Sequence, residues 1–277
     1  MTSSRYLCYF PSNLVSKMSH QGADIVDPTL YLPRILCLHG GGTNSRIFKA
    51  QCRVLIHQLK PYFRLCFAEA PFPSSAGPDV TSIYKAYLPF RRWLRWQPDH
   101  PAIENEAAIW EIDSCLDAAK LADDMEGATG EWVGLMGFSQ GAKVCASILL
   151  RQQMRAQGGA GKCGPRQADG SYGFGILLAG RGPLVSLDLN IPSDGLVGAA
   201  DLGLPGESIA VSGEAPRLRL PTIHMHGLRD PGIELHRKLI TDSCDNASVR
   251  LVEWDGDHRV PVKTRDVEAL VISAPHR

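Results

Sequence analysis

The sequence has no excess charge of either sign. Its 277 residues carry 29 Lys and Arg against 29 Asp and Glu, so the formal net charge is zero. Nucleic-acid-binding proteins need a basic surface for the phosphate backbone, and the balanced charge argues against that class. Apolar residues make up 44% and charged residues 21% of the chain. These are ordinary values for a folded globular protein and argue against a disordered one.

Long apolar runs and paired cysteines are also missing. No apolar stretch reaches the roughly 18 residues of a membrane-spanning helix, so we expect no membrane association. The N-terminus has no apolar core of signal-peptide length, which makes a cytoplasmic location the default expectation. The 8 cysteines are scattered without CxxC or CxxH spacing. This favours buried free thiols over a zinc site, and we expect neither a metal nor a cofactor.

Short apolar strands alternate with amphipathic helices along the chain. This alternation predicts an α/β fold with a mostly parallel, doubly wound sheet and helices on both faces. Residues 71–101 are rich in proline and are expected to form a long structured loop. We find no repeat or linker, so residues 31–277 are predicted to form one domain after a poorly ordered extension over residues 1–30. The predicted strands cover 34–38, 64–69, 132–138, 174–179, 222–226 and 249–254, and the predicted helices cover 45–60, 104–124, 141–154, 232–242 and 261–272.

The predicted strand at 132–138 leads directly into the motif Gly137-Phe138-Ser139-Gln140-Gly141. This G-x-S-x-G pattern is typical of a serine on a sharp strand-to-helix turn, where its Oγ projects above the sheet edge. The flanking glycines remove side chains that would clash in so tight a turn. The alternative is an ordinary glycine-rich turn. The apolar strand before the motif and the Ala-rich helix after it favour Ser139 as a nucleophile.

A serine nucleophile needs two backbone N–H groups directed at the developing oxyanion. We expect one from Gln140, the residue after the serine, and the other from the glycine run at 39–42 that follows the first strand. Gly41 is our choice for the second donor and Gly42 the next, while a turn without a ligand role is the alternative. His39 precedes the serine and is expected to make structural hydrogen bonds beneath the loop.

The chain order of this kind of site is serine, then an acid, then histidine. Asp230 follows the predicted strand at 222–226, and His258 follows the one at 249–254. We therefore predict that His258 is the base and that Asp230 orients it.

Other residues compete for both roles. Asp255 and Asp257 flank His258 and are alternative acids, although they are better suited to shaping the turn. His224 and His226 alternate within a strand and are expected to make buried contacts. His236 lies on a predicted helix, and we expect it to be exposed.

Together these motifs resemble the FSH-type fungal serine hydrolases of the α/β-hydrolase superfamily. The resemblance covers roughly residues 33–270 and rests on the glycine run, the serine motif, and the segments 226–231 and 256–261. It implies an α/β-hydrolase fold and a catalytic set of Ser139, Asp230 and His258. It also implies hydrolysis of a carboxylic ester or thioester that releases a polyketide. The expected partners are then a small-molecule acyl substrate and the acyl-carrier domain of a polyketide synthase.

Three features concern the pocket. Residues 83–96 interleave aromatic residues with Lys85, Arg91, Arg92 and Arg95. This segment is either a packed loop with its charged ends in water, or a basic rim that docks an acidic carrier or stacks a substrate ring. Residues 181–218 form either a lid or a plain surface connection. A Gly-rich insertion at 156–172 departs from the family pattern.

The residues alone are also compatible with two other functions. One is a general carboxylesterase for small esters. The other is a non-catalytic binding protein with a hydrolase fold, a class that typically lacks members of the catalytic set.

Overall fold

The central sheet is built from the apolar runs of the sequence. The computed structural model describes residues 27–78, 80–157, 171–191, 194–203 and 216–275. Within these ranges the strands are β1 (Arg34–Leu38), β2 (Arg64–Ala68), β3 (Phe72–Pro73), β4 (Arg91–Arg92), β5 (Trp132–Phe138), β6 (Phe174–Leu178), β7 (Val185–Ser186), β8 (Val197–Gly198), β9 (Thr222–Gly227) and β10 (Val249–Trp254). Six of them form a sheet in the order β10-β9-β6-β5-β1-β2, and every neighbouring pair in it is parallel. The short strands β3 and β4 pair antiparallel, and β7 pairs with β8.

The helices follow the predicted amphipathic segments with two main differences. They are α1 (Ser45–Gln51), α2 (Arg53–Leu59), α3 (Val80–Tyr84), α4 (Asn105–Met125), α5 (Gln140–Gln157), α6 (Ile233–Ser243) and α7 (Thr264–Ser273), with a 3₁₀ turn at Asn246–Ser248. The single helix predicted over 45–60 is wrong because Cys52, with ψ 8°, leaves the α-helical range and separates α1 from α2. The short helix α3 lies within the predicted loop at 71–101.

Both faces of the sheet are covered, as predicted. Leu36 and Leu38 of β1 join the core cluster formed with α4, α5 and α6, whereas Ile35 and Cys37 join the cluster formed with α1, α2 and α7. Successive side chains of a strand point to opposite faces, so one apolar strand serves both layers. The carboxyl ends of the parallel strands then meet at one edge, where the loops carrying the predicted site residues emerge.

The last residues of the predicted N-terminal extension make hydrogen bonds with β2. Residues 1–26 lie outside the described residues, and the poor order of residues 1–30 stays a prediction. Asp27 accepts hydrogen bonds from Arg64 Nη1 at 2.7 Å and from the Thr29 amide at 2.9 Å. These contacts fix the chain against β2. One domain over 31–277 remains a prediction, and most of the insertion at 156–172 lies outside the described residues.

The cysteines in the described part of the chain agree with the expectation of buried free thiols. They are free thiols, and all are buried except the partly buried Cys115. Burial raises the pKa of the Cys37 and Cys52 thiols well above the usual value, which keeps both protonated and unreactive. Cys8 and Cys163 lie outside the described residues. None of the described helices is long and apolar enough to cross a bilayer.

Candidate active site

Ser139 lies at the turn between β5 and α5. Its φ of 53° falls in a region that residues other than glycine rarely adopt, and its amide donates to the Leu178 carbonyl at 2.8 Å. The glycines of the motif permit this turn. A Cβ on Gly137 would lie 2.4 Å from the Gly141 carbonyl carbon, and a Cβ on Gly141 would lie 2.1 Å from the Leu38 oxygen. The sharp strand-to-helix turn predicted from the motif is therefore present.

Three predicted side chains from separate parts of the chain meet beside this turn. His258 Nε2 lies 3.0 Å from Ser139 Oγ, and His258 Nδ1 lies 2.6 Å from Asp230 Oδ2. Ser139 and His258 line a cavity, whereas Asp230 is buried. With its proton on Nδ1, the imidazole donates to the carboxylate and accepts from the serine hydroxyl at Nε2. The arrangement can therefore move a proton from Ser139 Oγ to His258.

The Asp230 carboxylate is held by three donors. Besides His258, the Gly232 amide donates to Oδ1 at 2.7 Å, and His236 Nε2 lies 2.8 Å from Oδ2. Burial acts to raise the pKa of Asp230. The hydrogen bonds from His258, Gly232 and His236 outweigh this effect and hold the pKa well below its usual value. Asp230 is therefore ionised at neutral pH.

The two alternative acids lie elsewhere. Asp255 pairs with Arg229 at 3.1 Å, and Asp257 pairs with Arg259 at 3.4 Å, all four side chains being at least half exposed. Of these three acids, Asp230 is the one that contacts His258 in the described part of the chain.

The glycine run after β1 lies against the serine turn. A Cβ on Gly41 would lie 3.2 Å from Gln140 Oε1, and both residues border the cavity at Ser139. The amides of Gly41 and Gln140 donate to no acceptor among the described residues. The amide of Gly42, the second choice, already donates to the Arg91 carbonyl at 2.9 Å. Gly41 and Gln140 thus bring two free N–H groups to the cavity wall beside the serine.

His39 is fully buried beneath this loop, as predicted. Its Nδ1 lies 2.8 Å from the Gly40 carbonyl, and its Nε2 accepts from the Ala70 amide at 3.1 Å. The His39 carbonyl in turn accepts from Trp93 Nε1 at 2.9 Å. These contacts give His39 a structural role.

The side chain of Gln140 has a function that the sequence analysis missed. Its Oε1 accepts from the amides of Trp93 and Leu94 at 2.7 and 3.2 Å, and its Nε2 donates to the Leu94 carbonyl at 3.1 Å. No sequence signal distinguishes this position within the G-x-S-x-G motif. The side chain ties the loop after β4 to the serine turn.

The sequence model of the family described as serine hydrolase (FSH1) matches residues 30–270. The chain belongs to this family. Esterase pigG of Monascus ruber is 56% identical over 251 residues, which cover 88% of this chain and 91% of the relative. Esterase citA of Monascus ruber is 55% identical over 257 residues, covering 91% and 95%. Esterase claE of Penicillium crustosum is 53% identical over 247 residues, covering 88% and 91%.

Membership confirms the resemblance found in the sequence. This FSH1 serine hydrolase has the predicted α/β-hydrolase fold, with its parallel sheet and its serine at a strand-to-helix turn.

The FSH1 serine hydrolase has a cavity of about 1210 Å³ at Ser139. In the predicted basic segment, Arg95 lines the cavity, but Arg91 and Arg92 do not. Arg91 Nη1 and Arg92 Nε instead donate to the carbonyls of Pro71 and Pro73, both at 3.1 Å. The segment is therefore a packed loop at Arg91 and Arg92 and a basic rim at Arg95. Residues from 181–185 and 195–203 also contribute to the wall.

His236 is fully buried, and its predicted exposure is wrong. The inward face of α6 carries His236, Leu239 and Ser243, whose spacing places them on one side of the helix. His236 Nδ1 lies 2.9 Å from the Gly180 carbonyl, and its ring stacks on His258 with centroids 5.7 Å apart. The contact of its Nε2 with Asp230 therefore adds a second imidazole to the carboxylate that holds His258.

We expect His236→Phe to move the acidic limb of the kcat/KM profile to higher pH by about 0.5–1 unit. A carboxylate with one donor fewer holds the protonated imidazole of His258 more strongly, so a higher pH is needed to free the base. The measurement is kcat/KM for a neutral p-nitrophenyl ester between pH 4 and 9. His57→Phe, at an exposed position of α2, is the control. If the acidic limb of the profile does not move and thermal stability falls, His236 has only a packing role.

His224 and His226 are buried and make buried contacts, as predicted, but in the described part of the chain only the His224 ring has a hydrogen bond. His224 Nε2 lies 3.1 Å from Thr222 Oγ1, whereas neither ring nitrogen of His226 has a hydrogen-bond partner among the described residues. Burial lowers the pKa of His224 to about 3 and that of His226 to about 4. Both rings are therefore neutral and do not compete with His258 for the proton.

Asp230, His236 and His258 also place possible metal-ligating atoms within 4.8 Å of one another. The same atoms already make the hydrogen bonds of 2.6 and 2.8 Å between the carboxylate and the two imidazoles. A cation at this point would have to displace both protons of these bonds, and the cluster fits proton transfer better than metal binding.

Proposed function

We propose that this FSH1 serine hydrolase uses Ser139, His258 and Asp230 as a catalytic triad that cleaves an acyl thioester or carboxylic ester. The observation that carries the proposal is the continuous relay from Ser139 Oγ through His258 to Asp230, with contacts of 3.0 and 2.6 Å. The three residues come from three different loops at the carboxyl edge of the sheet. A turn that only shaped the chain would not require these three side chains to meet.

In the first half-reaction, Ser139 Oγ attacks the acyl carbonyl while its proton passes to His258 Nε2. Asp230 keeps the other imidazole proton on Nδ1 and stabilises the imidazolium that forms. The free amides of Gly41 and Gln140 are the proposed donors to the oxyanion of the tetrahedral intermediate. Collapse of the intermediate breaks the bond to the leaving group. His258 gives that group its proton, and an acyl-serine remains.

In the second half-reaction, water replaces the leaving group. His258 takes a proton from the water as its oxygen attacks the acyl-serine carbonyl, and it returns that proton to Ser139 Oγ as the ester bond breaks. The products are the free acid and the restored serine. The same donors serve esters and thioesters, because both pass through the same kind of oxyanion.

We further propose that the natural substrate is a polyketide thioester on an acyl-carrier protein. The cavity of about 1210 Å³ is above the roughly 300–1,000 Å³ of ordinary small-molecule pockets, which supports an acyl group larger than acetyl. Arg95 at its rim supports the approach of an acidic carrier domain.

The thioester proposal predicts that kcat/KM for an octanoyl pantetheine thioester exceeds that for p-nitrophenyl acetate by about tenfold or more. Binding energy from a long acyl chain can be used at the reacting carbonyl, which acetate cannot provide. Thiol release and p-nitrophenol release measure the two reactions. Incubation with carrier-bound polyketides, followed by mass spectrometry of released acids, then identifies the acyl group.

The relatives are described as esterases, and this favours a general carboxylesterase as the second candidate. Equal or better turnover of the simple ester would support that function and exclude the specialised thioesterase. A fluorophosphonate probe that leaves Ser139 unlabelled would instead support the non-catalytic binding protein.

A further inference from the structure

The cavity at Ser139 is much more basic than the neutral chain as a whole. Among the described residues, two carboxylates line it, and both are engaged, because Asp201 accepts from the Gly198 amide at 2.6 Å and Asp242 faces Lys238 at 3.9 Å. The described residues of the wall include these cationic side chains: Arg53, Arg95, Lys143, Arg181, Lys238 and Arg259. Positive charge is therefore concentrated where the substrate binds.

Lys143 is the cation nearest to the nucleophile along the chain. It lies one helical turn after Ser139, and its amide donates to the Ser139 carbonyl at 3.2 Å. Its side chain is partly buried and makes no ion pair or hydrogen bond among the described residues. Burial, with a smaller contribution from Arg181, lowers the pKa of Lys143 to about 8, so most molecules still carry the charge at neutral pH.

Arg181 is the second cation of the inner wall. Its Nη2 lies 4.0 Å from Asp230 Oδ1, at the outer limit of an ion pair, and that oxygen already accepts from the Gly232 amide. Its Nε is buried without a hydrogen-bond partner in the described part of the protein. A Cβ on residue 232 would lie 2.3 Å from Nη2, so Gly232 makes room for the guanidinium. The surroundings hold Arg181 in place and leave part of its donor capacity unused.

Neither cation takes part in the relay from Ser139 to Asp230. Lys143 lacks a partner among the described residues, and the ion-pair contact of Arg181 with Asp230 is long, at 4.0 Å. Partly buried cations with unused donors are unfavourable, and an anion that enters the cavity would accept from both side chains. A site with unsatisfied buried donors also discriminates strongly against ligands that cannot satisfy them.

We propose that Lys143 and Arg181 form a subsite for an anionic group of the substrate. The group is either a carboxylate on the acyl chain or a phosphate on the thiol leaving group, since both offer oxygens that accept from an ammonium and a guanidinium. This inference rests on the proposed hydrolysis at Ser139 and specifies the class of substrate that the same cavity selects.

Two matched pairs of substrates test the subsite and distinguish its two sources. The first pair is the p-nitrophenyl ester of glutaric acid, with its carboxylate free, and the same ester with that carboxylate methylated. The second pair is butyryl phosphopantetheine and butyryl pantetheine. We expect the wild-type protein to prefer the anionic member of one pair. In Lys143→Met the ratio of the two kcat/KM values should fall by about tenfold, which corresponds to one lost charge-assisted hydrogen bond.

Lys143→Arg keeps the charge and should retain most of the preference. Lys60→Met removes an exposed lysine at the end of α2 and should leave the ratio unchanged. Because each result is a ratio within one variant, a general loss of active enzyme cancels.

The pair whose ratio falls identifies the source of the anion. Ratios unchanged in both pairs for Lys143→Met would overturn the subsite while leaving the hydrolase intact. Absence of turnover for all four substrates in the wild-type protein would instead count against the proposed hydrolysis itself.

Discussion

Replacing Ser139 by alanine should lower kcat for ester hydrolysis by about 10⁵-fold or more, as loss of the nucleophile does in other serine hydrolases. Without Oγ no acyl-enzyme forms, and the donors at Gly41 and Gln140 can assist only a direct attack by water. The fold should survive, because alanine meets the same backbone strain at a φ of 53° as serine does. Hydrolysis of p-nitrophenyl butyrate measures the loss, and thermal unfolding measures the fold.

Ser273→Ala on α7 is the matched control, since the one hydrogen bond of this hydroxyl within the described part of the chain goes to its own helix, at the Ala269 carbonyl. It should keep wild-type kcat and full labelling by a fluorophosphonate. Ser139→Ala should lose the label. Retention of more than about 1% of wild-type kcat in a purified Ser139→Ala sample would contradict the assignment of the nucleophile.

Asp230→Asn should lower kcat on the order of 10⁴-fold, by analogy with the same change in a protease triad. An amide presents an N–H group where His258 and His236 both need an acceptor, so the imidazole of His258 loses the tautomer that accepts from Ser139. The measurement is single-turnover hydrolysis of the same ester, which separates chemistry from substrate binding.

Asp255→Asn and Asp257→Asn provide the comparison, because both carboxylates flank His258 in sequence but pair with surface arginines. Each should keep kcat within about threefold of wild type, as surface changes usually do. If Asp230→Asn gave a mild loss and one of these gave a large one, the orienting acid would have to be reassigned.

The site could be predicted from the sequence where the local pattern of residues decides the structure. The apolar run before Ser139 and the glycines around it predicted the strand, the turn and the helix. Asp230 and His258 could be placed because parallel strands bring their carboxyl ends to one edge. The break at Cys52 could not be placed, since the apolar spacing continues through it.

The error at His236 has a physical reason. On α6 this residue is three positions before the buried Leu239 and seven before the buried Ser243, a spacing that places all three on one face. Periodicity could have placed the ring inward. Its partner Asp230 could not be inferred in the same way, because that contact depends on how the helix docks against the sheet.

The role of Gln140 could not be predicted for a similar reason. Its side chain meets the amides of Trp93 and Leu94, which are more than 40 positions away in the chain. The loop that carries them contains only short elements of regular structure, and its path is fixed by tertiary contacts such as this one. Sequence pattern carries little information about such a loop.

The double attachment of Gln140 has a consequence for redesign of the pocket. The same residue presents an amide beside Ser139 and anchors the stretch at Trp93 and Leu94. Altering this stretch to admit a new acyl group would therefore also disturb the residues at the serine turn. Ile83 and Tyr84 line the cavity from α3 without contacting Gln140 by hydrogen bonds. Changes at these two positions should therefore alter selectivity without disturbing the anchor at Gln140.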